Sequence, residues 1–149
     1  MKRVLGLLAL VALFGCSRFV ILNDALTAPE HNDLGVAYEN QRQPELAARE
    51  YRKALRRDPH FVRARVNLGN LDAAAGRWSA AEGSYRRALL DAPDDADALN
   101  NLAVTLVRRG RHLDEAEALA QRAMVAAGAA DSIPRATLAE VRAARARSK

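Results

Sequence analysis

One stretch of this chain, LGVAYENQRQPELAAREYRKALRRDP (residues 34–59), recurs at residues 68–93 as LGNLDAAAGRWSAAEGSYRRALLDAP. The two copies lie 34 residues apart and align without a gap. The positions that repeat in phase include Leu34/Leu68, Gly35/Gly69, Ala47/Ala81, Tyr51/Tyr85, Ala54/Ala88 and Pro59/Pro93. A fixed internal period of this length indicates stacked supersecondary units, each of which buries its apolar face against the next.

Each copy contains apolar residues at helical spacing on both sides of a break. In the first copy the break is at Arg42-Gln43-Pro44, because the residue before a proline is pushed out of the α region. In the second copy Gly76 supplies the turn, as a helix C-terminus prefers. Only 5% of the residues are aromatic and helix formers dominate, so we predict an all-α chain built from helix pairs.

This register resembles the tetratricopeptide repeat (TPR). The resemblance implies an α-solenoid of three helix-turn-helix units, at residues 28–61, 62–95 and 96–130, closed by a capping helix and basic tail at residues 131–149. The third unit is degenerate, because a one-residue insertion around His112-Leu113 shifts its register and Gly128 replaces the closing proline. In the second unit Asp72 replaces the large residue of the first helix; we expect it to turn toward solvent, with a buried polar contact as the alternative.

The first residues of the chain resemble a bacterial lipoprotein leader. Two basic residues precede a run of twelve apolar residues from Val4 to Gly15. A spanning helix needs about 20 apolar residues, so this run has the length of a signal-peptide core. Its end, Leu13-Phe14-Gly15-Cys16, resembles the lipobox, in which the cysteine is lipidated and becomes the mature N-terminus. The resemblance implies a signal peptide at residues 1–15, lipidation of Cys16, and a lipidated N-terminus and tether at residues 16–27.

Two other interpretations of the leader stay open. An uncleaved anchor from Val4 to Leu22 is disfavoured by the interrupting Arg18, because an arginine at the bilayer centre costs about 2.5–3.5 kcal/mol. A soluble cytoplasmic protein is the third interpretation. If Cys16 is lipidated, the following Ser17 favours an outer-membrane protein facing the periplasm, according to the sorting rules of that family. The apolar segment Phe19–Leu22 is then expected to pack on the first repeat or lie at the lipid interface; a partner-binding strand is the alternative.

The excess of basic over acidic residues in this chain is only weak evidence for binding to nucleic acid. The formal charge is +5, but Lys2 and Arg3 belong to the leader, and the excess is concentrated in the last residues. No aromatic side chains are interleaved with these cations to stack on bases. We therefore expect no nucleic-acid partner.

The sequence offers no catalytic or metal-binding motif. His31, His60 and His112 are isolated from one another, and we interpret them as surface or packing residues. No phosphate-binding glycine loop, serine elbow or zinc-binding helix motif is present. The acidic cluster Asp94, Asp95 and Asp97 precedes a predicted helix, where carboxylates complement the helix dipole. We predict no enzymatic activity, no cofactor and no metal.

The repeat resemblance implies binding through a concave groove lined by the first helix of each unit. The positions of this chain that correspond to the groove are Asn32, Val36, Arg63, Val66, Asn67, Asn70, Ala73, Asp97, Asn100, Asn101, Val104 and Arg108. Asparagine is unfavourable inside helices, yet several asparagines fall on this face, and an amide offers both donors and acceptors to the backbone of an extended peptide. Alternatively, they solvate an exposed face or stabilise the helix pairs.

One version of this groove clamps acidic C-termini with lysines and an arginine around asparagines. Asn67 matches one clamp position, but Asn32 and Asn101 stand where a lysine and the arginine would be needed. The sequence therefore predicts a membrane-anchored scaffold or adaptor that binds a protein or extended peptide and assists a bacterial envelope machine for pilus, secretion or polysaccharide export. The alternative is binding of cell-wall polymer or anionic lipid through the groove or the basic C-terminal helix. The oligomeric state does not follow from the sequence.

Overall fold

The computed structural model describes residues 24–128 and 131–148, and all regular structure within these ranges is α-helical. The helices are α1 (Ala28–Asn40), α2 (Pro44–Arg57), α3 (Val62–Ala74), α4 (Trp78–Asp91), α5 (Ala96–Arg108), α6 (Leu113–Ala127) and α7 (Ser132–Arg147). They pack as the pairs α1–α2, α3–α4 and α5–α6, and α7 covers α6 and α5. The prediction of an all-α solenoid with a closing helix is confirmed.

The three intra-repeat turns share one hydrogen-bond pattern. Two residues after the end of each first helix, the chain has a residue in the left-handed region. These residues are Arg42 (φ 58), Gly76 (φ 71) and Gly110 (φ 61). The N–H of the following residue reaches back five positions, from Gln43 to Tyr38, from Arg77 to Asp72 and from Arg111 to Leu106. This Schellman arrangement satisfies carbonyls that the helix end leaves unpaired. In the third turn His112 adds a second left-handed residue (φ 52), and this turn holds the extra residue noted in the sequence.

Side-chain caps fix several of the helix starts. Thr27 and Glu30 form a reciprocal capping box at α1, where Pro29 occupies the first turn. Asp95 accepts a hydrogen bond from the Ala98 N–H (2.8 Å) at the start of α5, as expected for the acidic cluster. Asp131 caps α7 in the same way through the Ile133 N–H (2.9 Å).

Glycine and tyrosine pack against each other inside the first two repeats. A Cβ built on Gly35 would lie 2.4 Å from Tyr51 Cε1, and one built on Gly69 would lie 2.6 Å from Tyr85 Cε1. Both tyrosine rings are buried, together with alanines at the helix crossings. The glycines are therefore needed because an aromatic ring from the second helix lies directly on the backbone of the first.

Asp72 does not turn toward solvent as expected. Asp72 is 9% exposed; its Oδ1 accepts a hydrogen bond from Arg77 Nε (2.9 Å) and forms an ion pair with Arg77 Nη2 (2.8 Å). The backbone N–H of Arg77 also binds the Asp72 carbonyl (2.8 Å), so both residues are held at the same turn. The preferred expectation was wrong because the arginine that follows the turn folds back to pair with the carboxylate.

Arginine–carboxylate contacts join the later elements of the chain. Glu82 on α4 accepts from Arg86 (2.9 Å), from Arg111 (2.9 Å) and from Arg109. Arg86 also binds both carboxylate oxygens of Glu115 on α6, at 2.6 and 2.9 Å. These contacts connect the second repeat to the third through a buried Glu82 and arginines that are partly exposed.

A similar arrangement fastens the closing helix. Glu117 on α6 accepts from Arg142 (2.7 Å) and Arg145 (2.8 Å), and Arg145 Nε also lies 2.6 Å from Asp114. Hydrogen bonds from the two arginines hold the pKa of Glu117 below its ordinary value. Two of the arginines that make the tail basic in sequence are thus engaged in attaching α7 to α6.

His31 is a buried member of an ionic cluster at the N-terminal edge. Its residue is 0% exposed, its Nδ1 lies 2.9 Å from Glu50 Oε2, and its Nε2 is 3.1 Å from Asp24 Oδ2 without the geometry of a hydrogen bond. Lys53 contacts Glu50 (3.0 Å) and Asp24 (3.5 Å). Burial raises the pKa of Glu50, but its hydrogen bonds with Lys53 and His31 outweigh that effect and lower the pKa overall. This cluster attaches Asp24, just before α1, to the side of α2.

The signal peptide, Cys16 and the Phe19–Leu22 segment lie outside the described residues. Among the helices that are described, none has the length and apolar character needed to cross a membrane.

Candidate partner-binding groove

A concavity with a volume of about 720 Å³ lies across the first helices of the three repeats. We call it the groove. Its lining residues are Pro29, Phe61, Val62, Arg63, Val66, Asn67, Asn70, Asp95, Asp97 and Asn101. They come from α1, α3 and α5 and from the residues just before α3 and α5. None of these lining residues comes from a second helix; α2 and α4 pack on the first helices through buried alanines and through Tyr51 and Tyr85.

A smaller cavity of about 310 Å³ continues the groove between α3, α4 and α5. Asn70 and Asn101 belong to both cavities, and the remaining lining residues are Ala73, Trp78, Tyr85, Val104 and Thr105. Trp78 is half-buried and forms part of this wall. The two cavities together form a continuous surface along repeats two and three.

The groove asparagines hydrogen-bond to one another across neighbouring repeats. Asn67 Nδ2 donates to Asn32 Oδ1 (2.9 Å), and Asn101 Nδ2 donates to Asn70 Oδ1 (2.9 Å). Tyr85 donates its hydroxyl to the same Asn70 oxygen over 2.8 Å. These bonds join α1 to α3 and α3 to α5, so the asparagines stabilise the stacking of the repeats in addition to lining the groove.

Eight of the twelve predicted groove residues are brought together by the fold. They are Arg63, Val66, Asn67, Asn70, Ala73, Asp97, Asn101 and Val104. The other four do not line either cavity. Asn32 and Asn100 are 1% and 8% exposed, Val36 is exposed on α1, and Arg108 lies 3.7 Å from Glu140 of α7. Asn32 faces the second repeat, where its oxygen accepts from Asn67, and Asn100 is buried with a hydrogen bond to the adjacent Asn101 (3.3 Å).

The sequence reasoning missed several groove residues. Pro29, Phe61 and Asp95 lie in or just before the first turn of a first helix, Thr105 lies on α5 itself, and Tyr85 reaches the smaller cavity from α4. The family positions mapped onto this chain did not include any of them. The apolar residue Phe61, just before the polar-faced α3, was the signal that could have extended the search.

The charges of the groove are of both signs. Arg63 is exposed at the start of α3, and Asp97 is exposed in the first turn of α5. One carboxylate oxygen of Asp95 accepts the hydrogen bond that caps α5. Burial and the nearby charge of Asp72 raise the pKa of Tyr85 above its ordinary value, so its hydroxyl remains protonated and donates to Asn70.

The described residues contain no group of three or more histidine, cysteine, aspartate or glutamate side chains suited to hold a metal ion. The polar residues of the groove are amides and charged side chains that can make hydrogen bonds along an extended chain.

Two family models match this arrangement of helices. Both are described as tetratricopeptide repeat; one covers residues 40–98 and the other residues 96–127. This chain carries tetratricopeptide repeats. The matched segments together span the second half of the first helix pair, all of the second pair and the third pair, including its irregular turn.

One solved structure is similar in fold to most of this chain. It is the first TPR of Spaghetti (RPAP3) bound to the HSP90 peptide SRMEEVD. The two chains superpose with a TM-score of 0.74 at 18% identity, and the alignment covers 80% of this chain and 93% of the other. No curated protein matches this chain at a significant level.

The tetratricopeptide repeats of this chain are not equivalent. The first two place tyrosine on glycine, whereas in the third Ala103 takes the place of glycine and Ala120 takes the place of tyrosine, both fully buried. The third repeat compensates through larger aliphatic residues on α5, namely Leu99, Leu102 and Leu106, and through α7. The groove is therefore bounded by two aromatic-packed repeats and one aliphatic repeat.

Proposed function

We propose that this protein is a membrane-anchored scaffold that binds an extended segment of a partner protein in the groove and assists the assembly of a bacterial envelope machine, such as one for pilus biogenesis, secretion or polysaccharide export. The observation that carries the binding proposal is the continuous surface formed by α1, α3 and α5, where amides alternate with apolar side chains. An extended peptide needs both, because its backbone seeks hydrogen bonds and its side chains seek apolar contact. The same surface offers no chemistry for catalysis, and we propose a binding role without enzymatic activity.

The charges of the groove narrow the kind of segment that it would accept. Two aspartates and one arginine line the larger cavity, so an acidic C-terminus would meet repulsion near α5. Such a clamp would also need cations at Asn32 and Asn101, and these amides are already paired with Asn67 and Asn70. We propose an internal segment that places a neutral or basic residue beside Asp97 and an acidic or polar residue beside Arg63.

The anchoring proposal comes from the leader sequence. The basic start, the apolar run Val4–Gly15 and Cys16 favour lipidation and placement in the envelope, with the repeats facing the periplasm. Several acyl chains on one cysteine would make the attachment stable, because each buried CH₂ contributes about 0.8 kcal/mol.

The alternative of polymer or lipid binding through the C-terminal helix has less support. Arg142 and Arg145 are engaged by Glu117 and Asp114, and Arg108 lies near Glu140. A helix whose cations are partly neutralised by its own fold makes a weaker electrostatic site than its sequence suggests.

The groove is tested by site-specific photo-crosslinking in intact cells. A photoreactive amino acid replaces Arg63 in the groove or, as the matched control, Arg87 on the exposed side of α4. We expect a specific protein adduct from position 63 that is absent from position 87. The adduct should disappear when the charges of the groove are exchanged by Asp97→Lys. Adducts of the same protein from both positions, or from position 87 alone, would contradict binding in the groove.

Anchoring is tested separately by metabolic labelling with an alkyne fatty acid in a bacterial host. Wild type should incorporate the label and fractionate with membranes, and Cys16→Ser should do neither. Ser17→Ala serves as the control and should keep the label. Membrane fractionation of Cys16→Ser without label would instead support an uncleaved anchor.

A further inference from the structure

The outer face of α2 carries a stripe of arginines. Arg49, Arg52 and Arg56 recur at helical spacing, with Glu45 at the start of the same stripe, and all four are exposed. This face is opposite the buried residues Ala47, Tyr51 and Ala54, which pack on α1. Arg49 Nε lies 3.7 Å from Glu50, and within the described residues neither Arg52 nor Arg56 forms an ion pair.

The corresponding positions of the other two repeats contain one basic residue in all. The stripe of α4 consists of Ser79, Gly83, Arg86 and Leu90, and the stripe of α6 consists of Asp114, Ala118, Gln121 and Val125. The single arginine among them, Arg86, is bound to Glu82 and Glu115. Because these helices occupy equivalent places in the same fold, packing does not require arginines at the outer positions of α2. The charge of this face is a property of the first repeat alone.

The basic face lies on the same helix to which the chain preceding α1 is attached. Asp24 contacts His31 and Lys53, and Arg57 donates to its backbone carbonyl. In the sequence, the apolar segment Phe19–Leu22 and Cys16 come immediately before this point. Asp24 follows Cys16 by only eight positions in the sequence (24 − 16 = 8), so a lipid anchor on Cys16 would hold α2 close to the bilayer surface.

We infer that the Arg49–Arg52–Arg56 face of α2 rests on an anionic phospholipid surface. This inference depends on the proposed anchoring and adds an orientation to it. Each arginine close to an anionic surface adds to the attraction, which acts only within about one Debye length. The tether supplies that proximity. Since α2 lies on the side of the first repeat away from the groove, the groove then faces away from the membrane, toward soluble partners.

The experiment uses the protein expressed with its leader in a bacterial host, extracted from the membranes and reconstituted into nanodiscs of POPC alone or of an equal mixture of POPC and POPG. A small amount of lipid with a nitroxide headgroup broadens NMR signals of nearby amides. We expect the amides of α2 to lose intensity selectively, relative to those of α6, in the POPG discs. This loss should be absent in POPC discs and should be reversed when the ionic strength rises from about 0.1 M to about 1 M.

Three variants make the measurement specific. Arg49→Gln, Arg52→Gln and Arg56→Gln together should abolish the selective loss. The control Arg87→Gln, Arg122→Gln and Arg147→Gln removes the same charge from exposed arginines of other helices and should retain it. Arg49→Lys, Arg52→Lys and Arg56→Lys keeps the charge and should also retain it, which guards against a folding defect as the cause.

The outcomes separate this inference from the anchoring on which it depends. Failure of the full chain to co-elute with nanodiscs would overturn both. Co-elution without selective loss in α2, or with a loss independent of POPG, would overturn the orientation alone. Shifts of α2 amides on addition of duplex DNA, without any effect of POPG, would also overturn it and would identify the face as a nucleic-acid surface.

Discussion

Asn67 of α3 donates a hydrogen bond to the side-chain oxygen of Asn32 on α1 across 2.9 Å, and Asn32 is almost fully buried. The bond crosses the boundary between the first two repeats. Asn67 therefore stabilises the packing of the repeats and also lines the proposed binding surface. Substitutions of these asparagines test stability as well as binding, which is why the groove is better tested by crosslinking at Arg63.

The Asn32–Asn67 bond predicts an asymmetric mutational response. Asn67→Ala would leave the Asn32 oxygen buried without its donor, at a cost of about 1–3 kcal/mol. Replacing both residues by leucine should cost much less, because no buried polar group is left unpaired. Urea denaturation of the two variants measures the difference. Equal losses of stability would show that packing, and not the hydrogen bond, is the main contribution at this boundary.

Two glycines of the second helix pair should respond in opposite ways to alanine. Gly69→Ala would place a Cβ 2.6 Å from the buried Tyr85 ring, so we expect a loss of about 1–3 kcal/mol from overpacking. Gly83 lies inside α4, where an added Cβ would meet no atom within 4 Å, and Gly83→Ala should gain about 0.5–1 kcal/mol in helix propensity. Urea denaturation compares both variants with wild type. A stable Gly69→Ala would mean that the tyrosine ring moves aside readily.

The helical organisation was predictable because it follows from local sequence. The repeat of glycine, alanine, tyrosine and proline at a constant offset fixes where helices begin, end and cross, and the structure has helices in those places. Contacts between distant charged residues were not predictable in this way. The buried His31–Glu50 pair and the cluster around Glu82 depend on which long side chains meet after folding, and the spacing of these residues in sequence gives no sign of it.

The candidate groove was predictable in part. Residues such as Arg63, Asn70 and Asn101 follow from their places on first helices. Asn32 and Asn100 did not follow the same rule, because both side chains are buried in helix packing and do not line the groove. Phe61 and Pro29 were missed because they belong to the ends of helices, where periodicity no longer specifies a face.

The turn of the first repeat predicts a stabilising substitution. Arg42 adopts a left-handed conformation (φ 58) at the position where the next two repeats have Gly76 and Gly110. This conformation strains a residue with a Cβ, so Arg42→Gly should raise the free energy of unfolding by about 0.5–1 kcal/mol. Gly76→Ala, at the equivalent position of the second repeat, should lower the free energy of unfolding by about 1 kcal/mol. An added Cβ meets no atom within 4 Å there, so the loss comes from the left-handed backbone conformation alone. Thermal denaturation followed by circular dichroism measures both; a destabilised Arg42→Gly would show that the arginine side chain contributes to the turn.

Glu82 makes the boundary between the second and third repeats sensitive to acid. Its carboxylate is buried and contacts Arg86, Arg109 and Arg111. Burial raises the pKa of Glu82, but the hydrogen bonds from these arginines outweigh it and hold the pKa below the ordinary value of 4.5. The folded state therefore binds a proton at this site less readily than the unfolded state. The stabilisation by the ionised Glu82 carboxylate is complete when the pH is well above 4.5. It is lost as the pH falls through the lowered pKa of the folded state.

We expect Glu82→Gln to lose about 3 kcal/mol at neutral pH, the lower end of what breaking a buried ion pair costs, because the arginines are partly exposed. The difference from wild type should shrink as the pH is lowered below 4.5, because wild type then loses the same charge as its carboxylate is protonated. Glu45→Gln, at an exposed position of α2, should cost less than about 1 kcal/mol and should not change the acid dependence. Urea denaturation of the three proteins across this pH range makes the comparison. A difference between Glu82→Gln and wild type that stays constant with pH would show that the glutamine acts through packing and that the ionised carboxylate is not what joins the two repeats.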